Sequence, residues 1–467
     1  MMLERLLADV SKDVAALLDG ALSGQALSKE GALRLLGAEG PDFHALLRAA
    51  DVARQDDCGD DVSFVITRNI NFTNVCYVGC SFCGFARHRD EEEAFDRSFE
   101  EINAKARDAI ARGATEVCIQ GGIDPQKDHH HYHGILTHLK AEFPELHIHA
   151  FSPEEMDYIS TQSGMPLEEQ MRWLLDAGLG TMPGTAAEIL DDSVRRVLSP
   201  NKLMTERWKE IVRTAHNAGL RSTATIMYGH IEEPKHVVTH LDVLRELQQE
   251  TGGFTEFVPL GFIHEKNVLG HWAQSRPGPS GADDLRLIAV ARLFLRPWIT
   301  NIQMSWVKMG PKLSQLALEA GANDFGGTLM EESISRESGS DFGENLPPEE
   351  MRRLIREMGR TPIQRSTLYR TVERYDDPEK DPPSLEPEHR ARKTRRPWSP
   401  NIAPNSPAPR AGAMAPAKPG SIGRCSSEES APWSQSQKAD PDSSSLREPC
   451  STSHRQRAGR RYRAADG

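Results

Sequence analysis

The sequence predicts an α/β protein built as a (β/α)8 barrel of the TIM type, with a helical segment ahead of it and a non-globular tail behind. Three observations carry this reading. Strand-like and helix-like stretches alternate from about residue 62 to about residue 360. Glycines and polar residues gather where the predicted strands end, which is the rim where barrels of this kind carry their chemistry. Composition shifts near residue 373, where Pro, Ser, Ala and Arg take over and apolar side chains become scarce. An open doubly wound sheet is the alternative, because alternation alone does not demonstrate closure.

Residues 1–60 read as polar-faced helices that pack on the outside or the bottom of the barrel. Met1–Gly20 lacks the apolar stretch of a signal peptide, and no run is long enough to span a bilayer, so a cytoplasmic location is expected. Ser63–Ile70 predicts the first strand, and Ser98–Arg112 a helix stopped by Gly113. Thr115–Gln120 is a β-rich run ending in Gly121-Gly122. His129, His130, His131 and His133 follow in what reads as an exposed loop, an adventitious metal binder at most. His147–Phe151 predicts the third strand, Leu167–Ala177 a helix, and Thr181–Pro183 a short fourth strand. Thr205–Ala218 is amphipathic and ends at Gly219. Ser222–Tyr228 and Phe254–Leu260 predict strands around a helix over Val237–Gln249. The pattern continues with a helix at Asp284–Leu295, a strand at Ile299–Trp306, a helix at Lys312–Ala320, a strand at Ala322–Phe325 and a helix at Pro348–Met358. The barrel with its last helices is placed at 61–372 and the tail at 373–467.

The net charge of -12 conceals a split. Residues 381–467 hold 15 Lys+Arg against 9 Asp+Glu, which leaves 41 against 59 in residues 1–380. An acidic body argues against nucleic acid as a partner. The tail cannot bury enough apolar surface to offset its ordering entropy and is expected to be disordered; its Cys425 and Cys450 have no metal-like spacing.

The chemistry concentrates in Cys76-Tyr77-Val78-Gly79-Cys80-Ser81-Phe82-Cys83, after the first strand. Three thiolates at C-x3-C-x2-C spacing can hold three irons of a 4Fe-4S cube and leave the fourth open. An open iron accepts the amino and carboxylate groups of S-adenosylmethionine, and one electron passed to its sulfonium releases a 5'-deoxyadenosyl radical. A structural zinc site with His88 as fourth ligand is the rival; zinc ligands usually come as two spaced pairs. A disulfide is weaker still, since three is odd and nothing marks the chain as secreted.

Further candidates follow the other strands. Gly121 and Gly122 would let the backbone approach a ligand. His147 and His149 share one strand face, where one or both could meet substrate or simply be satisfied core residues. Ser152 sits where the third strand becomes a loop. Glu188 could meet the cofactor's ribose or sulfonium, or favour a helix N-terminus. Tyr228, His230, Glu256, Lys308 and Asn323 follow at later strands, and a central Glu256 is costly to bury unless paired or used.

The stretch from Arg68 through Cys83-Gly84-Phe85-Ala86 resembles the radical S-adenosylmethionine enzymes of deazaflavin and futalosine-type synthesis. Later blocks, among them Gln120-Gly121-Gly122, His149-Ala150-Phe151-Ser152-Pro153, Pro183-Gly184-Thr185-Ala186-Ala187-Glu188, Met227-Tyr228-Gly229-His230 and Gly321-Ala322-Asn323-Asp324-Phe325-Gly326-Gly327, are similar to the tyrosine-using subunit of FO synthase. The resemblance covers about residues 30–370; Gly84 stands where Ala is expected, and the histidine run is unusual. It implies that hydrogen is taken from the amino group of L-tyrosine, that Cα–Cβ breaks to leave an iminoacetate, and that the 4-hydroxybenzyl group joins C5 of 5-amino-6-(D-ribitylamino)uracil. It implies Cys76, Cys80 and Cys83 on the cluster, Gly121, Gly122, Ser152 and Glu188 around S-adenosylmethionine, and Tyr228, His230, Glu256, Lys308 and Asn323 around the substrates. With one cysteine motif, the chain is expected to need an electron donor and a separate radical enzyme, resembling FO synthase subunit 1, to close the deazaflavin ring. The nearest rival is a futalosine-pathway enzyme of menaquinone synthesis. A non-enzymatic iron–sulfur carrier or zinc module is a rival of another class, and a tRNA-modifying enzyme is disfavoured by the acidic body.

Overall fold

The computed structural model describes residues 9–385; the rest of the tail, with Cys425 and Cys450, lies outside the described residues. Three helices come first: α1 (Lys12–Leu22), α2 (Lys29–Leu36) and α3 (Gly40–Cys58). The strands are β1 (Asp61–Val65), β2 (Thr67–Asn71), β3 (Glu116–Gln120), β4 (His147–Ala150), β5 (Ser222–Tyr228), β6 (Phe254–Gly261), β7 (Asp324–Gly327), β8 (Thr361–Arg365) and β9 (Thr371–Arg374).

Backbone pairing closes the sheet. β1 and β2 are two halves of one stave, interrupted at Ile66; β1 pairs parallel with β7, and β2 pairs parallel with β3. β3 pairs with β4, and β5 with β6. Two staves are reduced to single bridges. Thr181 bridges His149 while Met182 bridges Ser222, and Ile302 bridges Phe257 while Gln303 bridges Asp324. The eight staves form a closed ring, so the open-sheet alternative falls. The predicted strands at Thr181–Pro183 and Ile299–Trp306 are shorter than expected, and Trp306 instead opens a helix, its indole N–H donating to Gly327 O at 2.9 Å.

Alternation along each stave divides the two faces. β3 sends Glu116, Cys118 and Gln120 into the lumen and buries Val117 and Ile119 against the helices. β4 likewise turns His149 inward and Ile148 outward. The outer helices are α4 (Phe99–Ala111), α5 (His129–Glu142), α6 (Pro153–Ser163), α7 (Leu167–Asp176), α8 (Asp192–Leu198), α9 (Thr205–Asn217), α10 (Pro234–Thr251), α11 (Gly281–Leu295), α12 (Trp306–Ala317), α13 (Ser333–Ser338) and α14 (Pro348–Glu357). Ser98 and Glu101 form a capping box at α4, as Ser280 and Asp283 do at α11. α1–α3 dock on this outer wall through Arg245 to Leu27 O (2.9 Å), Arg286 to Ala38 O (3.1 Å) and Arg296 to Asp57 (2.8 Å).

The histidine run is helical and not a loop. Tyr132, Ile135, Leu136 and Leu139 are the buried stripe of α5, a helical spacing that the histidines obscured in the sequence. The imidazoles stack on aromatic rings, His131 on Phe99 at 5.5 Å and His133 on Trp173 at 4.3 Å. α12 starts earlier than the predicted Lys312 and is broken at Gly310 (φ 78°) before Pro311. α6, α8, α13, β8 and β9 have no counterpart in the sequence reading. The ordered body also continues past residue 372: β9 pairs antiparallel with β8, and Asp381 accepts hydrogen bonds from Arg352 (3.0 Å) and Arg356 (2.6 Å).

β8 pairs parallel with β1 and puts Arg365 at the floor of the lumen. Its guanidinium donates to Asp324 at 2.5 and 3.2 Å and to Glu256 at 3.2 Å, and it lies 4.1 Å from the centre of the Tyr369 ring. Tyr369 OH also donates to Glu256. Among the described residues, no helix is long and apolar enough to cross a membrane. Arg365→Ala would leave Asp324 and Glu256 buried without their cation, and we expect a loss of about 3–5 kcal/mol in urea unfolding. Loss below about 1 kcal/mol would show that the floor does not depend on this ion network.

Candidate active site

The cysteine loop leaves β2 and is fixed almost wholly by backbone groups. Cys76 N–H donates to Arg87 O (3.1 Å), Tyr77 N–H to Ile123 O (3.1 Å) and Ser81 N–H to Leu198 O (3.0 Å). Cys83 N–H donates to Cys80 O (3.2 Å), and Gly79 takes φ 71°, a turn conformation that suits glycine. Thr73 Oγ1 donates to Phe95 O (2.7 Å) and Asn74 Nδ2 to Glu93 O (2.9 Å), which ties down the far side. Gly84 lets the loop pack closely, since a Cβ would stand 2.8 Å from the carbonyl oxygens of Glu337 and Lys266.

Cys76, Cys80 and Cys83 line one cavity of about 260 Å³ at the mouth of the barrel, together with Gly121, Gly122, Ser152 and Glu188. Among the described residues, no three His, Cys, Asp or Glu side chains gather tightly enough for a single metal ion. The thiols share a wall instead. Burial raises the Cys80 thiol to about 11 and also raises Cys76, with Lys202 opposing in both cases.

Each neighbour of the thiols has a defined task. A Cβ on Gly122 would lie 2.2 Å from Val75 O, and one on Gly121 would lie 2.5 Å from the Phe72 ring. The glycines therefore admit the cysteine loop itself, a reason different from the ligand approach expected from sequence. Gly122 N–H also donates to Thr73 O at 2.8 Å. Ser152 caps α6 in a capping box, its N–H and hydroxyl both donating to Glu155 at 2.7 Å. Burial pushes Glu155 up to about 7. Glu188 is outside any helix, at φ 39°, and its carboxylate accepts from Lys202 Nζ at 2.6 Å. Burial lowers the Lys202 pKa, but Glu188, Cys80 and Glu154 outweigh it and hold the ammonium charged.

A second cavity, of about 240 Å³, occupies the lumen. It shares Gln120, Thr185, Thr225, Leu260, Lys308 and Ile334 with the cysteine cavity, so the two adjoin. Lys308, in the first turn of α12, faces both. Burial lowers its pKa, with Glu332 and Cys83 opposing. Glu256 lies at the lumen floor, not at the rim; burial raises it to about 7 while Arg365 opposes.

Three sequence candidates stand away from both cavities. Tyr228 OH donates to Asp284 at 2.6 Å, on the side facing α11. His230 is fully buried, with Nδ1 accepting from Ile231 N–H (2.8 Å) and Nε2 beside Met227 O (3.0 Å). Asn323 Oδ1 accepts from Arg292 and from Ile302 N–H, both at 2.8 Å, and its amide donates to Asn301 at 3.1 Å. Their polar groups are engaged within the fold, and none of the three lines either cavity. Sequence reasoning missed Glu155 and Lys202. Ser152-Pro153-Glu154-Glu155 carried a capping-box signal; Lys202 carried none, because it reaches the cavity from a loop between α8 and α9.

A family model of the radical SAM superfamily matches residues 70–244, and one of the CofH/MqnC C-terminal region matches residues 251–377. The 5-amino-6-(D-ribitylamino)uracil–L-tyrosine 4-hydroxyphenyl transferase of Methanothermobacter thermautotrophicus is 48% identical over 347 residues, covering 74% of this chain and 95% of the relative. The chain belongs to this transferase family within the radical SAM superfamily. A relative of the same name from Archaeoglobus fulgidus is 50% identical over 326 residues, 70% of this chain and 93% of its own length. FO synthase of Mycobacterium tuberculosis is 48% identical over 361 residues, 77% of this chain but 42% of that longer protein. The fold is that of methylornithine synthase (TM-score 0.60, 20% identity, 74% of this chain and 97% of that one). It is also that of the FeFe-hydrogenase maturase from Carboxydothermus hydrogenoformans (TM-score 0.62, 16% identity, 77% and 81%).

The family implies a 4Fe-4S cluster and S-adenosylmethionine, and the residues present fit both: three thiols on one wall, a cation beside Cys80, and an adjoining cavity that Lys308 also lines. Gly122→Ala should displace the cysteine loop. We expect iron bound after anaerobic reconstitution to fall severalfold, measured per folded chain, with the melting temperature reporting the fold separately. Full iron loading would mean that Val75 yields easily.

Proposed function

We propose that this chain is a radical SAM transferase that joins the 4-hydroxybenzyl group of L-tyrosine to C5 of 5-amino-6-(D-ribitylamino)uracil, a step toward FO and coenzyme F-420. The observation that carries it is the junction of the three-cysteine cavity with a polar barrel lumen, in a chain that matches relatives of that name over almost their whole length. The same relatives favour this over the futalosine-pathway reading.

Cys76, Cys80 and Cys83 would hold the cluster, with S-adenosylmethionine bordered by Gly121, Gly122 and Glu188. When bound, the two together supply a 5'-deoxyadenosyl radical at the mouth of the lumen. The chain's own part is binding and enclosure. Ser152 and Glu155 set the N-terminal turn of α6 against the cavity. Lys308 offers its ammonium where the cavities meet, placed to pair with the tyrosine carboxylate. The lumen offers donors and acceptors to the uracil and its ribityl chain, among them Asn69, Gln120 and Gln303, down to Glu256 on the floor. Val258, Leu260 and Trp306 add apolar wall that excludes water from reactive species. An electron donor and a second radical enzyme for ring closure are the partners this chemistry needs, and a reducing compartment such as the cytoplasm suits the thiols.

The test is anaerobic turnover with dithionite, S-adenosylmethionine, tyrosine and the ribityl uracil, followed by mass spectrometry. The expected product is a 4-hydroxybenzyl–uracil adduct formed with 5'-deoxyadenosine, absent in Cys83→Ala. Deoxyadenosine without adduct would reject the substrates and keep the radical chemistry. No deoxyadenosine from iron-loaded protein would reject both.

A further inference from the structure

Resting on that function, we infer that His149, Thr181 and His147 form a proton exit from the lumen, with His149 Nε2 accepting the proton that the coupling step releases from the uracil. The requirement comes from electron counting. The C5 carbon already bears an amino group, so adding a benzyl radical there forms the new C–C bond, breaks the C5=C6 π bond and leaves the unpaired electron at C6. A closed-shell product needs one electron to leave, to a one-electron acceptor of the iron–sulfur class, and one proton to leave the exocyclic N–H on C6 as C6=N forms. The cluster that Cys76, Cys80 and Cys83 would hold is of that class and adjoins the lumen; the proton needs a base in the lumen.

Glu256 accepts from Arg365 and Tyr369, and Glu116 from Thr367, whereas His149 is a lumen base with a path behind it. His149 lines the lumen from the middle of β4. Its Nδ1 lies 2.7 Å from Thr181 Oγ1, and the same hydroxyl lies 2.8 Å from Nε2 of His147. A single hydroxyl between two rings accepts from one and donates to the other. When Nδ1–H of His149 donates to Thr181 and Thr181 donates to His147, Nε2 of His149 is left as a bare acceptor. Among the described residues, no hydrogen-bond partner meets that Nε2. Accepting a proton there and passing Nδ1–H on through Thr181 carries one proton to His147. His147 is only half-buried, at the start of the strand, so the chain runs from the lumen toward the outside.

The surroundings keep the imidazole neutral. Glu116 and Cys118 face it from β3, Arg365 from β8 and Glu256 from β6, all around the same lumen. Burial lowers the pKa of His149 to about 4 against the opposing charge of Glu116, so the ring is neutral at working pH. Burial lowers His147 as well.

Thr181→Val removes the bridging hydroxyl with little change in shape, and His149→Gln removes the acceptor. In the wild type, adduct per 5'-deoxyadenosine should be flat between pH 6 and 9. In both variants we expect that ratio to fall by about 10²-fold, the general-base range, and to rise with pH because the proton must then leave to solvent base. Melting temperatures near the wild-type value show that the fold is retained. An unchanged ratio with a flat profile in Thr181→Val would overturn the relay. So would loss of deoxyadenosine in step with the adduct, which would place these residues upstream of coupling. Wild-type protein that makes deoxyadenosine but no adduct would instead reject the proposed substrates.

Discussion

The Arg365 guanidinium is the constraint on which the interior depends. A barrel of eight short staves, two of them reduced to single bridges, has little backbone pairing to define its lower end. β8 supplies what the ring lacks by adding a strand beside β1 and sending one cation inward. That cation joins Asp324 on β7 to Glu256 on β6, and Tyr369 closes over it. Thr367, two residues on, donates to Glu116 on β3. Four staves are thus tied from beneath by one short segment. A buried carboxylate pair without this cation would be costly to desolvate. With it, the floor is polar yet satisfied, and the lumen above can remain open as a cavity.

The mouth is built on the opposite principle. Here backbone approaches backbone, and side chains are removed to permit it. Gly122 admits Val75 O, Gly121 admits the Phe72 ring, and Gly84 fits between two carbonyls. The cysteine loop is therefore positioned by main-chain hydrogen bonds that do not depend on thiol chemistry, leaving all three thiols directed at one cavity. The charged neighbours sit behind this frame. Lys202 neutralises Glu188 next to Cys80, so a region that would otherwise be acidic presents a cation to the sulfurs. Floor and mouth together leave the three-thiol cavity and the lumen open to one another.

Much of this was legible in the sequence because it rests on local rules. The cysteine spacing, the strand periodicity of Ser222–Tyr228 and the glycine stops need only neighbours in sequence. The reading failed where a tertiary contact decides. Tyr228, His230 and Asn323 follow strands as rim residues do, but Asp284, Met227 O and Arg292 claim their polar groups. Glu256 is costly to bury unless paired, as the sequence shows, but its partner Arg365 lies over a hundred residues downstream and could not be read from its neighbours. The histidine run masked the apolar stripe of α5. Lys202 and Arg365 carry no local signature at all, and both matter through long-range ion pairs.

The proposed function puts the uracil in the lumen between Lys308 and Glu256. The most direct measurement is an anaerobic crystal structure of the iron-loaded protein with 5-amino-6-(D-ribitylamino)uracil bound. Density is expected inside the ring of staves, with the uracil C5 toward the cysteine cavity and the adjoining wall formed by Gln120 and His149. Density instead in the outer polar cavity beside Arg87, Arg97 and Arg336, with the lumen filled only by water, would contradict it.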